Sequence, residues 1–286
     1  DLARLGQSPL NLITIYGPAR KGKSFLMNLL ADPSGESQVF RSLGGQVACT
    51  KGIELAPRVL AHAQLFSEQV TKLDDLNVAF CDTEGQGDVD QAYDVQLISP
   101  LLLLAKVVIF NWSGLPNRAT MLDQLACLST AATRINPEGS GHLQADGARK
   151  FGHLHIVLRD NPNVDGVRGL LLDEEDGREE HNRVRRLLKE SFESIGIWGL
   201  PRPVEHNDPF GPADVTAVFK ESLLEFREAV GEQLREPRLF EGQSISGVSI
   251  AALSELLVQA VNANAESLSP SSAFATMQAK QLADED

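Results

Sequence analysis

The sequence predicts an α/β fold with a mostly parallel central sheet flanked by helices. Three observations carry that prediction. Apolar segments of strand length alternate along the chain with longer helical patterns. A glycine-containing loop, Gly17 to Ser24, follows the first of those strands and opens a helix. The next strong strand ends on an acidic residue, Asp82.

Taken in order, residues 11–16 read as a buried strand and residues 23–30 as a helix. Residues 76–82 form a second apolar strand, residues 90–104 a helix and residues 106–111 a further strand. Residues 116–134 fit an amphipathic helix opened by Pro116, whose fixed φ suits a first turn. Residues 136–149 are polar and glycine-rich and read as a loop, and residues 153–158 as another strand. Residues 161–180 contain Pro, Gly and the acidic run Asp173, Glu174, Glu175, Asp176, and are expected to form a mobile insertion with a solvated acidic loop. Helices are expected at residues 181–194, 213–235 and 248–264. From Ser267 the composition turns small and polar, which places the domain end near Glu266, and there is no repeat of solenoid period.

The chain has 286 residues, 42% of them hydrophobic, enough for a sizeable core. No apolar run reaches the ~18 residues that a membrane helix needs. The longest, residues 101–110, is interrupted by Lys106. The formal net charge of −13 argues against non-specific nucleic-acid binding, which needs a dense positive field. It does not argue against a mononucleotide, for which one local cluster of donors suffices. Cys49, Cys81 and Cys127 form no C-x-x-C pair, so neither a zinc site nor a disulfide framework is expected, and a reducing cytoplasm is the simplest compartment. The chain begins at Asp1 rather than Met and is expected to be part of a longer protein.

Gly17-Pro18-Ala19-Arg20-Lys21-Gly22-Lys23-Ser24 fits G-x-x-x-x-G-K-[ST] in the strand–loop–helix setting that the motif requires. Glycines let the backbone curl so that N–H groups face phosphate oxygens, and the helix N-terminus adds partial positive charge. Lys23 is expected to reach the β- and γ-phosphates and Ser24 to ligate Mg²⁺. Arg20, inside the loop, could stabilise transition-state charge or simply face solvent.

Cys81-Asp82-Thr83-Glu84-Gly85 follows the second apolar strand. Asp82 is the candidate for the magnesium carboxylate, and the Gly85 N–H for a γ-phosphate contact. Between the two motifs lies Cys49-Thr50-Lys51-Gly52, where Thr50 is the candidate for a switch hydroxyl that joins the metal when the γ-phosphate is present. For base recognition, Thr71-Lys72-Leu73-Asp74 matches a T-K-x-D pattern but precedes the acidic strand, the wrong place in chain order. Arg159-Asp160, at the end of the strand over residues 153–158, is the better candidate. A carboxylate there could accept from guanine N1–H and N2–H₂, a donor pair that adenine lacks, and a site built on such bonds discriminates strongly. His153 and His155 share one face of that strand; without a carboxylate or cysteine motif beside them, structural roles are favoured over metal ligation.

Together these segments resemble the guanylate-binding protein family and, more distantly, the atlastins, large GTPases of the dynamin-superfamily type. The resemblance rests on Gly17 to Asn28, Thr50-Lys51-Gly52-Ile53, Asp82-Thr83-Glu84-Gly85-Gln86-Gly87-Asp88, Met121-Leu122-Asp123-Gln124-Leu125, Leu158-Arg159-Asp160 and Arg202-Pro203-Val204. It runs from about residue 10 to residue 266 in order and spacing. It implies a P-loop G domain over residues 1–266, with residues 267–286 starting a helical extension. It implies a Mg²⁺-dependent GTP hydrolase that forms a nucleotide-dependent homodimer, with any membrane link carried by regions outside this chain.

In residue terms the resemblance implies catalytic roles for Arg20, acting in cis, and for Lys23, Thr50, Glu84 and Gly85. It implies nucleotide contacts from Gly17, Arg20, Lys21, Gly22, Lys23, Ser24, Phe25, Arg159 and Asp160, and metal ligation by Ser24, Thr50 and Asp82. Two departures stand out. Ala48 occupies the place of a family Ser that helps order the attacking water, and residues 205–212 are short for a full guanine cap. Ala48 keeps open a non-catalytic GTP-binding interaction module, and the short Arg-Asp base motif keeps open an ATPase.

Overall fold

The computed structural model describes residues 6, 8–40, 52–66, 75–86, 91–114, 116–135, 151–204, 214–240 and 243–262. The expected switch Thr50, Ala48, the Thr71–Asp74 tetrapeptide, the loop at 136–149, the segment 205–212 and the boundary near Glu266 lie outside them.

The central strands are β1 (Leu10–Tyr16), β4 (Asn77–Thr83), β5 (Ala105–Ser113), β6 (Phe151–Arg159) and β7 (Phe192–Leu200). They pair in parallel in the order β4-β1-β5-β6-β7. The short strands β2 (Ile53–Leu55) and β3 (Leu60–Ala61) both pair antiparallel with β4. The first strand therefore lies inside the sheet, and its two neighbours come from later in the chain on opposite sides. In such sheets the crevice outside the carboxyl ends of the strands at this switch point is where ligands bind.

Helices cover both faces, and side-chain alternation along the strands divides the core accordingly. Leu10, Leu12 and Tyr16 of β1 pack on one side with α3 (Gln91–Leu104), α4 (Arg118–Ile135), α5 (Val167–Leu172), α6 (Glu179–Ser191) and α8 (Gly247–Asn262). Ile13 and Ile15 face the other way, toward α1 (Lys23–Ala31), α2 (His62–Leu65) and α7 (Ala217–Gln233). On that second side Phe219, Phe226 and Val230 of α7 are fully buried. Each contributes about 1.5–3 kcal/mol of apolar burial. Thr216 caps α7 by accepting from the Phe219 N–H at 3.3 Å.

One polar side chain ties the first strand to the segment that follows α7. Asn11, with no solvent exposure, donates to the carbonyls of Leu234 (2.9 Å) and Glu236 (3.0 Å) and accepts from the Arg238 N–H (2.8 Å). Beside it, Leu10 N–H donates to Ile245 O at 2.8 Å.

Two sequence expectations are corrected. The helix expected at 181–194 ends at Ser191, and Phe192–Leu200 is the edge strand β7. Ile195, Ile197 and Trp198 are half-buried there, so the short apolar stretch pairs with β6 instead of prolonging the helix. The expected mobile insertion at 161–180 contains α5, while its acidic run is largely exposed as expected and carries two surface ion pairs. Glu174 pairs with Arg186 at 2.6 Å, and Glu175 pairs with Arg118 of α4. No helix among the described residues is long and apolar enough to cross a membrane.

Candidate functional site

The glycine loop joins β1 to α1, and its shape follows from close backbone packing. Gly17 has φ 140°, and a Cβ there would lie 2.3 Å from the Asn111 carbonyl oxygen of β5. Gly22, at φ 74°, is the N-cap of α1 and offers no side chain to the first-turn N–H groups, and that turn holds no acidic residue. The positive end of the helix is thus left for a ligand anion. Arg20 also adopts the left-handed region, φ 59°, with its side chain exposed. For a residue with a Cβ that conformation costs roughly 1–2 kcal/mol. The Lys21 carbonyl accepts from Asn111 Nδ2 at 2.9 Å, which fixes the far side of the loop to β5.

Lys23 is 7% exposed, and its ammonium donates to the Pro18 carbonyl at 3.2 Å, so the charge lies within the curl of the loop. Ser24 Oγ donates to Asp82 Oδ2 at 2.5 Å. Asp82 itself is fully buried at the end of β4, and Thr83 Oγ1 donates to Ile15 O at 2.7 Å, locking β4 against β1 at this end. A hydroxyl oxygen and a carboxylate in contact at a helix N-terminus form the hard-oxygen donor set that suits Mg²⁺, which takes few protein ligands and completes its shell with water and phosphate.

The segment after Asp82 is joined to the loop by main chain. Gln86 N–H donates to Gly17 O at 2.9 Å, and Ala19 N–H to Gln86 O at 3.4 Å. Gly85 passes so close that a Cβ would lie 2.1 Å from Ala19 Cα. The Gln86 amide nitrogen reaches α4, at 3.2 Å from Gln124 O and 3.3 Å from Cys127 Sγ. Glu84 Oε2 accepts from Gly52 N–H and from the Tyr93 hydroxyl, each at 2.8 Å, and Glu84 N–H donates to Gly52 O at 2.7 Å.

At the other end of the crevice, Arg159 is 6% exposed. Its guanidinium lies over the rings of Phe25 (5.6 Å) and Phe219 (5.9 Å), and Nη1 donates to Gly22 O at 3.2 Å. Burial pulls its pKa below the usual arginine value, against the opposing pull of Asp160. Phe25 and Arg159 therefore form a brace beneath the glycine loop. Asp160 is exposed at φ 63° and accepts from Ser113 Oγ at 3.1 Å. Asp tolerates the left-handed region better than most residues.

The paired histidines are engaged within the fold. His155 Nε2 lies 2.6 Å from Gln233 Oε1, and Trp198 Nε1 donates to His155 Nδ1 at 2.8 Å, which sets the neutral Nε2–H tautomer. Burial holds its pKa down at about 4. His153 bonds Ser194 Oγ at 2.9 Å and Glu193 at 3.1 Å. Cys81 and Cys127 are free buried thiols, the former pushed up to about 12 by desolvation. A pocket of about 450 Å³ between α4 and α6, lined by Ser129, Thr133, Arg134 and Arg183 among others, shares no residue with the glycine loop.

The structure thus brings Gly17, Arg20, Lys21, Gly22, Lys23, Ser24, Phe25, Asp82, Glu84, Gly85, Arg159 and Asp160 to the carboxyl-end edge of the sheet. Sequence reasoning missed Asn111, Gln86, Tyr93 and Phe219. Asn111, a polar residue ending a largely apolar strand segment, and Gln86, inside the Asp82–Asp88 segment, were the two with a visible signal.

Comparison with known proteins agrees with this geometry. A family model described as the guanylate-binding protein N-terminal domain matches residues 3–162. Guanylate-binding protein 3 of Homo sapiens is 32% identical over 136 residues, covering 46% of this chain and 20% of that protein. Guanylate-binding protein 2 of Homo sapiens is 31% identical over 148 residues, covering 50% of this chain and 22% of that protein. Guanylate-binding protein 1 of Chlorocebus aethiops is 32% identical over 140 residues, covering 46% and 20%. The aligned part thus spans about a fifth of these relatives' length. With the family match extending over more than half of its residues, the chain belongs to the guanylate-binding protein family.

Proposed function

We propose that this chain binds GTP across the carboxyl-end edge of its sheet and hydrolyses it in a Mg²⁺-dependent reaction. The observation that carries the reading is the contact of Ser24 Oγ with the buried Asp82 carboxylate at 2.5 Å, directly behind Lys23 of the glycine loop. In this reading Ser24 and Asp82, joined by Thr50, hold the metal, which when bound neutralises phosphate charge. The N–H groups at the start of α1 and the Lys23 ammonium bind the β- and γ-phosphates, and the Gly85 N–H meets the γ-phosphate. Arg20, exposed and held at positive φ, turns onto the charge that develops at the leaving oxygen. Asp160 accepts from guanine N1–H and N2–H₂, while Arg159 and Phe25 support the loop from beneath.

Assembly belongs to the same reading. A nucleotide-dependent homodimer through the G domain orients Arg20 in cis. The G domain occupies residues 1–266, residues 267–286 begin a helical extension, and the protein works in the cytoplasm with any membrane link outside this chain. Phosphate release with Mg²⁺·GTP over a range of protein concentrations tests it. Specific activity that climbs with concentration, and that falls about 10³-fold in Arg20→Ala, is the expected result. Equal rates for wild type and Arg20→Ala would remove Arg20 from the mechanism, and ATP competing as well as GTP would remove the guanine assignment.

Ala48, in the place of the family's water-ordering Ser, favours a second reading in which the chain binds GTP as an interaction module without turnover. Retained GTP binding with no phosphate release, recovered on Ala48→Ser, is its signature.

A further inference from the structure

Tyr93 stands in the first turn of α3, outside every motif that marks the site. Its hydroxyl nevertheless donates to Glu84 Oε2 at 2.8 Å, the same oxygen that accepts the Gly52 N–H at 2.8 Å. Glu84 N–H returns a bond to Gly52 O at 2.7 Å, so the two backbones clasp each other just ahead of the Ile53–Thr83 pair of the β2–β4 ladder. Gly52 turns the chain at φ 66°, two residues after Thr50. Glu84 in turn precedes Gly85, which is packed against Ala19 of the glycine loop. Glu84 therefore connects three pieces of chain: its carboxylate joins the segment after Thr50, through Gly52, to the start of α3, through Tyr93, and its main chain continues into Gly85 against the glycine loop.

A carboxylate bonded only to a backbone N–H can still rotate about its side-chain torsions. A second donor on the same oxygen from a phenol on a helix restricts that rotation further, because a tyrosine ring is placed by only two rotatable side-chain bonds. We propose that Tyr93 is a positioning residue for hydrolysis, holding Glu84 in the orientation that binds Gly52, next to the contact of Gly85 with the glycine loop. The proposal rests on the GTPase reading above. It does not require Tyr93 to touch nucleotide. It concerns the fixed placement of the γ-phosphate-facing segment and not ground-state binding, so its loss falls on turnover more than on affinity.

The test is Tyr93→Phe, which keeps the ring and removes the donor, alone and combined with Glu84→Ala in the full chain. Two quantities are read: steady-state GTP turnover, and amide hydrogen exchange over residues 52–55 with a non-hydrolysable GTP analogue bound. The expected result for Tyr93→Phe is a kcat roughly tenfold to a hundredfold lower, the range set by one hydrogen bond to a charged group, with KM within about twofold. Exchange at residues 52–55 should quicken to the level of Glu84→Ala, with no further increase in the double variant. An unchanged kcat together with unchanged exchange would overturn the proposal. So would a further increase in exchange in the double variant, because Tyr93 would then act by a route other than Glu84. If wild type binds GTP but releases no phosphate, the hydrolase reading fails and the positioning role with it; the exchange data would then report the clasp alone. A thermal midpoint within a few degrees of wild type separates all of these outcomes from misfolding.

Discussion

At the phosphate end of the crevice close main-chain packing shapes the loop, with the Asn111 amide on the Lys21 carbonyl added at its far side. Gln86 exchanges backbone hydrogen bonds with Gly17 and Ala19 of the loop, Gly85 packs on Ala19, and Gly17 packs on the Asn111 carbonyl. At the base end the support comes from side chains: Arg159 spread over Phe25 and Phe219, and behind it His155 between Trp198 and Gln233. Backbone-to-backbone packing tolerates no added atom but is indifferent to pH and to most side-chain chemistry. Side-chain packing tolerates repacking but depends on protonation and on the shape of each partner.

The contrast can be broken most forcefully at Gly85. Gly85→Ala adds a Cβ 2.1 Å from Ala19 Cα, where only backbone can yield, so about 4 kcal/mol of stability should be lost along with most nucleotide affinity. Urea unfolding and nucleotide titration read the two effects; a variant that keeps wild-type values in both would mean that the phosphate end is softer than its packing implies.

The base end should instead show its dependence on protonation. His155 titrates at about 4 in the folded protein against about 6.5 in an unfolded chain. The unfolded state therefore binds a proton first as pH falls. This contribution is absent above pH 6.5, grows as pH drops, and reaches about 3 kcal/mol of lost stability near pH 4. His155→Gln should flatten that part of the stability–pH curve. If its curve parallels wild type from pH 7 to pH 4, the imidazole does not carry the effect. The smallest change is expected from Arg159→Lys, which keeps the charge but loses the flat guanidinium over two rings. It should cost about 1–2 kcal/mol in stability and reduce GTP affinity less than tenfold, as calorimetry would register.

The same contrast explains what could be read in the sequence. The phosphate end is local: one strand, one loop and one helix start hold Gly17, Gly22, Lys23 and Ser24 within eight positions, so the spacing alone places them. Asp82 was legible because it ends an apolar strand of clear length. The base end is assembled across distance. Phe219 meets Arg159 from sixty positions away, and no spacing rule relates the two residues. The edge strand β7 was misread for a similar reason: the helical pattern before it is strongly amphipathic and runs without a turn residue into Phe192, so only its pairing with β6 decides where the helix stops. The exposure of the acidic run at 173–176 was legible, but its ion pairs were not, because the partners Arg118 and Arg186 lie in other elements.

The clasp at Asn11 has a consequence for dissection of the molecule. The family match ends at Pro162, yet the first strand is tied by Asn11 to Leu234, Glu236 and Arg238, and by Leu10 to Ile245. A fragment cut at Pro162 would leave a buried amide unsatisfied, at about 1–3 kcal/mol, and bare the β6 edge that β7 now covers. The smallest piece fit for expression is therefore not the stretch in which the family signature is recognisable, and truncation libraries of this chain should keep Ile245 in every member.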